Sequence, residues 1–457
     1  MATKPHISVC TAGNPDTGKS TFTGRLIYDM GGISERDMEK LKLEAKAVGK
    51  DSFSFAFFTD VNKEERIRGV TINSTTKEFF TENYHYTIVD NPGHSDYISN
   101  MIKGSSTADV GILLLPTDNY IAAMAKEDRA NSVEEGQARR HALLLNLLGI
   151  KQLIVCINKM DNCEYSEEKF NEIKNETMNM LVQVGWPKPF VTSNVPIIPI
   201  SAWTGDNLLT LSAKMPWWKG TNVKDAGNTQ QTVVTVMDAL NNFVKEPVRL
   251  PNAPLRMPVS SVHVIKGVGD VICGRIEQGT VKPGDQVVFL PTNTSSLECK
   301  GKVFSIEMHH TSVSSAEPGY NVGLNIKGLD KKHLPKTGDI MILQSDKSLN
   351  VPKHITIQAK MMNHPGELKV GYCPVGAVRT KSVPMKITKF NWKMGKETGN
   401  QKVEDPVSIK TGDIAEIVFA PQKQIVVDEY KNCEGLGRIA FLEGSNVILL
   451  GKVVKTE

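Results

Sequence analysis

The sequence predicts a multidomain α/β plus β protein: a doubly wound domain of the P-loop type followed by two antiparallel β-barrels. Three observations carry this expectation. Gly13-Asn14-Pro15-Asp16-Thr17-Gly18-Lys19-Ser20 has the spacing G-x-x-x-x-G-K-[ST] and sits between a strand-like and a helix-like run. Continuous apolar runs at Val110–Pro116 and Gln152–Ile157 read as parallel strands covered on both faces. From about Val259 the pattern changes to short runs separated by Gly, Pro and Asp turns, as in β-barrels. A chain of 457 residues is long for one core, and the breaks fall so as to give domains at 1–245, 246–347 and 348–457.

Composition narrows the class. The chain is 40% hydrophobic and 23% charged, as in ordinary globular protein. A balance of 54 Lys+Arg against 50 Asp+Glu leaves a net charge of +4, too small to mark a nucleic-acid binder by itself. Seven cysteines are scattered with no C-x-x-C pair, which argues against zinc and disulfide frameworks and fits a reducing compartment. No apolar run reaches membrane-spanning length and the N-terminus lacks a signal-peptide core, so a cytoplasmic protein without membrane contact is expected.

The elements follow in order. His6–Ala12 reads as a buried strand and Ser20–Tyr28 as a helix, so the loop between them lies where a strand feeds a helix N-terminus. Loop residues Asn14, Pro15, Asp16, Thr17 and Gly18, with Thr21 behind them, would surround the phosphates. Lys19 would reach the β/γ oxygens and Ser20 would be a magnesium ligand. Ser34–Asp37 reads as a helix cap, and the charged stretch Ser34–Gly69 as a solvated helical excursion. Its end, Arg68-Gly-Val-Thr-Ile72, places Thr71 as a second magnesium hydroxyl and γ-phosphate sensor. Tyr84–Asp90 reads as a strand ending in Asp90-Asn-Pro-Gly-His94. Here Asp90 can hold magnesium through water, Gly93 can bond the γ-phosphate, and His94 can orient the attacking water.

Ser132–Gly149 reads as a helix and Val195–Ile200 as another strand. The strand at Gln152–Ile157 delivers Asn158-Lys159-Met160-Asp161. The guanine edge offers two adjacent N–H donors, and one carboxylate, Asp161, can accept both. Asn158 would contact the base and hold neighbouring loops, and the Lys159 stem would cover the ring. In Ser201-Ala202-Trp203 the Ala202 N–H would meet guanine O6. Five motifs in this order, each at a strand end, point to a guanine-nucleotide domain using GTP/GDP and Mg2+. Beyond it, Thr232–Val244 reads as the last helix and Glu246–Pro258, with four prolines, as an extended linker. Lys393–Lys402 reads as a solvated loop.

Together these motifs and the two barrels resemble the translation elongation factor 1-alpha and elongation factor Tu family over essentially the whole chain. Details such as Gly185-Trp186, Trp217-Trp218-Lys-Gly220 and Asn432-Cys-Glu-Gly435 are similar to the elongation factor-like branch of eukaryotic microbes. The resemblance implies a GTPase that carries aminoacyl-tRNA to the ribosome and is recycled by a guanine-nucleotide exchange factor. It also implies that Glu307, His309 and Asn321 receive the aminoacylated end, with the third domain gripping the tRNA stem. The chain departs from the family pattern where Asn14-Pro15 replaces His-Val, where Ser95 replaces an arginine, and where Tyr320 replaces an acidic residue. Two other readings compete: a ribosome-rescue or release-factor GTPase, and a divergent paralogue acting as a GTP-binding scaffold with actin or another cytosolic partner.

Overall fold

The computed structural model describes residues 4–457 apart from 61, 106, 127–134, 295, 309–310, 363 and 445. The chain forms two compact units, Met1–Pro247 and Val248–Glu457. In the first, β1 (His6–Ala12), β2 (Thr75–Phe80), β3 (His85–Asp90), β4 (Val110–Pro116), β5 (Gln152–Asn158) and β6 (Ile197–Pro199) form one sheet. Its order is β2-β3-β1-β4-β5-β6. All neighbours are parallel except β2, which runs antiparallel on β3 at the edge. β1, β4 and β5 are buried along their whole length, because helices cover both faces of a parallel sheet. The strand order reverses at β1, so a crevice opens at the carboxyl ends of β1 and β4.

The helices are α1 (Lys19–Asp29), α2 (Glu35–Ala47), α3 (Lys63–Arg68), α4 (Ile98–Ser105), α5 (Tyr120–Met124), α6 (Gln137–Leu147), α7 (Glu167–Gln183) and α8 (Lys188–Ser193). The Ser34 side chain caps α2, accepting from the Asp37 N–H at 3.1 Å. The excursion Ser34–Gly69 differs from expectation in its middle, where Ser54–Phe57, Thr59 and Asp60 are buried. Gly24 is the physical reason. A Cβ there would strike the Phe55 carbonyl, so the bare face of α1 lets this segment lie directly on it.

Two further elements differ. In the expected helix Thr232–Val244, the β-branched start instead completes strand β8 (Gln230–Val233), paired with β7 (Thr221–Lys224). Helix begins only at Val236 and widens into a π turn at Ala239–Phe243. The start of the expected helix Ser132–Gly149 lies outside the described residues, and its described part begins at Gln137.

The second unit holds two closed six-stranded antiparallel barrels. The first contains β9 (Met257–Ile265), β10 (Gly269–Arg275), β11 (Gln286–Leu290), β12 (Lys300–Met308), β14 (Asn321–Lys327) and β15 (Ile340–Leu343), with β13 (Thr311–Val313) extending β12. Pairing of β11 with β12 closes it. The second contains β16 (Ile355–Met361), β18 (Val375–Val378), β19 (Lys381–Met394), β22 (Ile414–Pro421), β23 (Arg438–Glu443) and β24 (Asn446–Thr456). It closes through β18 and β19, while β17 (Leu368–Lys369) pairs with β21 (Ser408–Ile409) and β20 (Val403–Glu404) borders β19. Alternation along these strands packs Phe289 and Leu324 inside the first barrel and stacks Phe419 on Phe441 in the second.

Buried Arg256 joins the barrels, meeting Asp346 at 2.6 Å and Asp428 at 3.1 Å. Removing one partner of such a set would leave an uncompensated buried charge, so these carboxylates hold the barrels in register. No helix among the described residues is long and apolar enough to cross a membrane.

Candidate nucleotide site

The loop after β1 has a backbone that only its own sequence tolerates. Gly13 has φ +146° and Gly18 +85°, and a Cβ on Gly18 would lie 2.6 Å from Asn158 Nδ2. Gly18 caps α1 in the left-handed conformation, so the helix N-terminus opens toward the loop. Buried Lys19 folds its ammonium across the loop, donating to the carbonyls of Gly13 at 3.2 Å and Asn14 at 2.8 Å. Burial pulls its pKa down to about 8, with Asp90, Asp16 and Asp60 opposing. Those two carbonyl bonds keep the loop closed and hold the cation where phosphate oxygens would replace them.

Around this loop a small cavity of about 60 Å³ is lined by Pro15, Asp16, Gly18, Lys19, Ser20, Thr21, Thr71, Gly93 and His94, with Asp60 and Val70. Ser20 Oγ and Thr71 Oγ1 lie 3.0 Å apart. Adjacent ligands of an octahedral Mg2+ with bonds near 2.1 Å lie about 3 Å apart, so the two hydroxyls fit that ion. Asp90 is fully buried and accepts from Thr11 Oγ1 at 2.9 Å through one oxygen. Its other oxygen, Oδ2, has no hydrogen-bond partner among the described residues, which suits a metal-bound water. Burial raises the Asp90 pKa, opposed by Ser20 and Lys19.

Sequence reasoning missed two carboxylates here. Asp60 Oδ1 accepts from Thr71 Oγ1 at 3.0 Å. Its pKa is pushed up to about 7 by burial and by the charge of Asp90. Glu65 Oε1 accepts from the N–H groups of Ile72 and Asn73 at 2.9 and 3.0 Å, so the Thr71 loop is pinned from both sides. The signal for Glu65 was present: Asn62-x-x-Glu65 forms a capping box at the start of α3. Asp60 carries no such signal, because only the packing of Phe55 on α1 brings it here.

His94 stands at the cavity mouth, its ring half exposed, and its Nδ1 accepts from the Asp96 N–H at 3.2 Å. Gly93 approaches so closely that a Cβ would meet Pro15 N at 2.8 Å. Asn91, just before it, is buried and binds three elements. It donates to the Thr11 carbonyl and to Ser105 Oγ at 3.0 Å each, and accepts from Ser74 Oγ at 2.8 Å.

At the base end, Asn158 Nδ2 donates to the Thr17 carbonyl at 2.7 Å and its Oδ1 accepts from the Ala202 N–H at 2.9 Å. The Ala202 N–H expected on guanine O6 is therefore engaged by Asn158. Asp161 Oδ1 is buried with no hydrogen-bond partner among the described residues, an acceptor waiting for donors. The Lys159 ammonium is held by Asp118 at 3.1 Å, with its backbone at φ +65°. Ser201 and Ala202 are buried, whereas Trp203 is 44% exposed and lies outside the phosphate cavity.

In the first barrel, Glu307 pairs with Gly323, two residues from Asn321 on the same strand. Glu307 and Asn321 therefore share one outer face as diagonal neighbours. His309 lies outside the described residues. Tyr320 leans on the barrel core instead of presenting a charge.

Family models agree with this architecture piece by piece. Residues 4–246 match the elongation factor Tu GTP binding domain, 269–342 elongation factor Tu domain 2, and 354–454 the GTP-eEF1A C-terminal domain-like family. The chain is 41% identical over 458 residues to elongation factor 1-alpha of Desulfurococcus mucosus, covering 99% of this chain and 97% of that one. Among solved structures, the GTP-bound Ski7 GTPase-like domain of S. cerevisiae has a TM-score of 0.77 at 16% identity, covering 99% and 98% of the two chains. A bacterial selenocysteine-specific elongation factor has a TM-score of 0.65 at 20% identity, and this chain spans 59% of its length and 99% of its own. At these identities the last two are likenesses of fold.

Proposed function

The chain belongs to the elongation factor Tu and elongation factor 1-alpha family of GTPases, which hydrolyse GTP, and we propose that it delivers aminoacyl-tRNA to the ribosome. In this reading 1–245 binds nucleotide, 246–347 receives the aminoacyl end, and 348–457 holds the tRNA stem. The observation that carries it is the match of all three parts, in order, together with similarity over 97% of the length of an elongation factor 1-alpha. Charge distribution supports it. Residues 248–457 contain 28 Lys+Arg against 20 Asp+Glu, whereas 1–247 contain 26 against 30. The barrel unit therefore carries the positive field an RNA backbone requires.

For the nucleotide, Lys19 and the open end of α1 bind phosphate oxygens, and Asp161 accepts the paired donors of guanine. Ser20 and Thr71 would hold Mg2+ with Asp90 and Asp60 behind them, and the ion would neutralise charge between the β- and γ-phosphates. His94 orients the attacking water. Gly93 and the Thr71 loop sense the γ-phosphate, and release of that phosphate frees the loop that Asp60 and Glu65 otherwise hold. A buried base end and a closed phosphate loop imply slow release of GDP, so an exchange factor completes the cycle. The cytoplasm is where these partners meet. Lys19, Ser20, Thr71 and His94, gathered at one cavity, weigh against a scaffold lacking hydrolysis.

Filter binding tests the proposal. Aminoacyl-tRNA should be retained in the presence of GTP and deacylated tRNA should not. Equal retention of both overturns the carrier reading.

A further inference from the structure

We propose that Arg25 is a positioning residue that ties the base-binding loop to the segment carrying Asp60, so that seating the base helps order the Thr71 loop. The proposal rests on the base lying against Asp161 as set out above. None of Arg25, Phe55 and Trp203 lines the phosphate cavity.

Arg25 projects from α1 and makes three contacts at once. Its Nη1 donates to the Trp203 carbonyl at 2.7 Å, its Nε donates to both carboxylate oxygens of Asp29 at 2.8 Å, and its guanidinium lies 5.2 Å from the Phe55 ring centroid. Phe55 in turn meets Trp203 edge to face, with centroids 5.9 Å apart and planes at 80°. One planar cation thus clamps the loop Ser201–Trp203 and the segment from Phe55 onto the same helix. A lysine could keep the charge but not the fork and the stacked face together.

Two glycines make the clamp close. Gly205, at φ +87°, would place a Cβ 2.6 Å from Arg25 Nη2. Gly24 has no room for a Cβ beneath the Phe55 carbonyl. From Phe55 the connection to the switch is short and stiff. The Phe58 N–H donates to the Phe55 carbonyl at 3.2 Å and the Asp60 N–H to the Ala56 carbonyl at 2.8 Å. Asp60 then accepts from Thr71. The relay is Trp203, Arg25, Phe55, Asp60, Thr71. Coupling between sites is reciprocal, so the relay must act both on nucleotide release and on order in the switch.

The test uses R25A, R25K, F55L and the R25A/F55L double variant of the full chain. Release of N-methylanthraniloyl-GDP and N-methylanthraniloyl-GppNHp is followed by stopped flow. Tryptic cleavage after Arg66 and Arg68 is followed by mass at saturating GppNHp. R25A should release both nucleotides about tenfold faster, the scale of one lost charge-assisted hydrogen bond. It should also lose GppNHp protection of Arg66 and Arg68 even when fully occupied, and R25K should restore little of it. The double variant should release nucleotide less than multiplicatively faster than the singles, because the two side chains act as one unit.

Unchanged protection in saturated R25A, or multiplicative rates in the double variant, overturns the proposal. If R25A does not fold, R25K is read in the same two assays with the same outcomes. A native chain that does not prefer guanine over xanthine nucleotides would instead remove the base placement, and that result leaves the Arg66 and Arg68 readout separate.

Discussion

Ser20 and Thr71 bring their hydroxyl oxygens to 3.0 Å although they stand 51 positions apart in the chain. Ser20 is fixed by the start of α1, whereas Thr71 is held by Asp60 and by the loop that Glu65 pins. The two ligands therefore differ in permanence: one belongs to the frame and the other to a segment that can leave. Changing Thr71 to Ala should keep GDP affinity within about twofold while weakening GppNHp at least about tenfold, since only the triphosphate form uses the ordered loop. Fluorescence titration with both nucleotides reads this directly, and an equal loss for both would make Thr71 part of the frame.

Asp161 offers a sharper test of base identity. Its buried oxygen lacks a hydrogen-bond partner among the described residues, and each hydrogen bond to a charged acceptor contributes about 1.5–3 kcal/mol. D161N replaces an acceptor with a donor facing the guanine donors. GTP affinity should fall at least about 100-fold while xanthosine triphosphate, with a carbonyl at that edge, should gain. Competition binding with the two nucleotides measures both changes. Parallel losses would place the base elsewhere.

These residues were legible because each occupies a fixed offset in a short motif at a strand end. The strands β1 and β4 were legible to the residue, β4 from a continuous apolar run and β1 from its place just before the phosphate loop. Asp60 and Glu65 were hidden in a run rich in charge, where solvation is the ordinary expectation. Glu65 is 1% exposed and Asp60 2%, and the burial of Asp60 follows from the seating of neighbouring Phe55 on Gly24 of α1, which is far from it in sequence. Tertiary packing turned a charged excursion into part of the site. The end of β8 reads as helix in the sequence because the β-branched run from Thr232, which pairs with β7, leads straight into the apolar pattern of the helix that begins at Val236.

Asn91 makes three hydrogen bonds that link Thr11, Ser74 and Ser105. It thereby connects the strand before the phosphate loop, the segment after Thr71, and α4. N91A strips buried partners at all three and should cost about 2 kcal/mol. For a unit of this size that lowers the melting temperature by about 4–8 °C. Calorimetry of the GDP-bound chain checks it; a change under about 1 °C would mean that the three partners re-pair without Asn91.

His141, on α6, accepts from the Gly13 N–H at 3.0 Å through Nδ1, so the first glycine of the phosphate loop is anchored by a neutral imidazole. Burial, with Lys19 and Arg140 nearby, pulls its pKa from 6.5 down to about 3. The sign follows from proton counting. Between those values the unfolded chain carries the proton and the folded chain does not, so stability rises with pH and is lost as pH falls below about 6.5. The slope from this one group approaches about 1.4 kcal/mol per pH unit in the middle of the window. Asparagine in its place can offer an acceptor to Gly13 without titrating. H141N should therefore show a flatter decline in melting temperature than the native chain between pH 6.5 and about 4, with the two curves running parallel above pH 7. The measurement is a paired thermal-unfolding series of the GDP-bound proteins across that range. Parallel curves throughout would mean that protonation reaches His141 in the folded state without breaking its bond to Gly13.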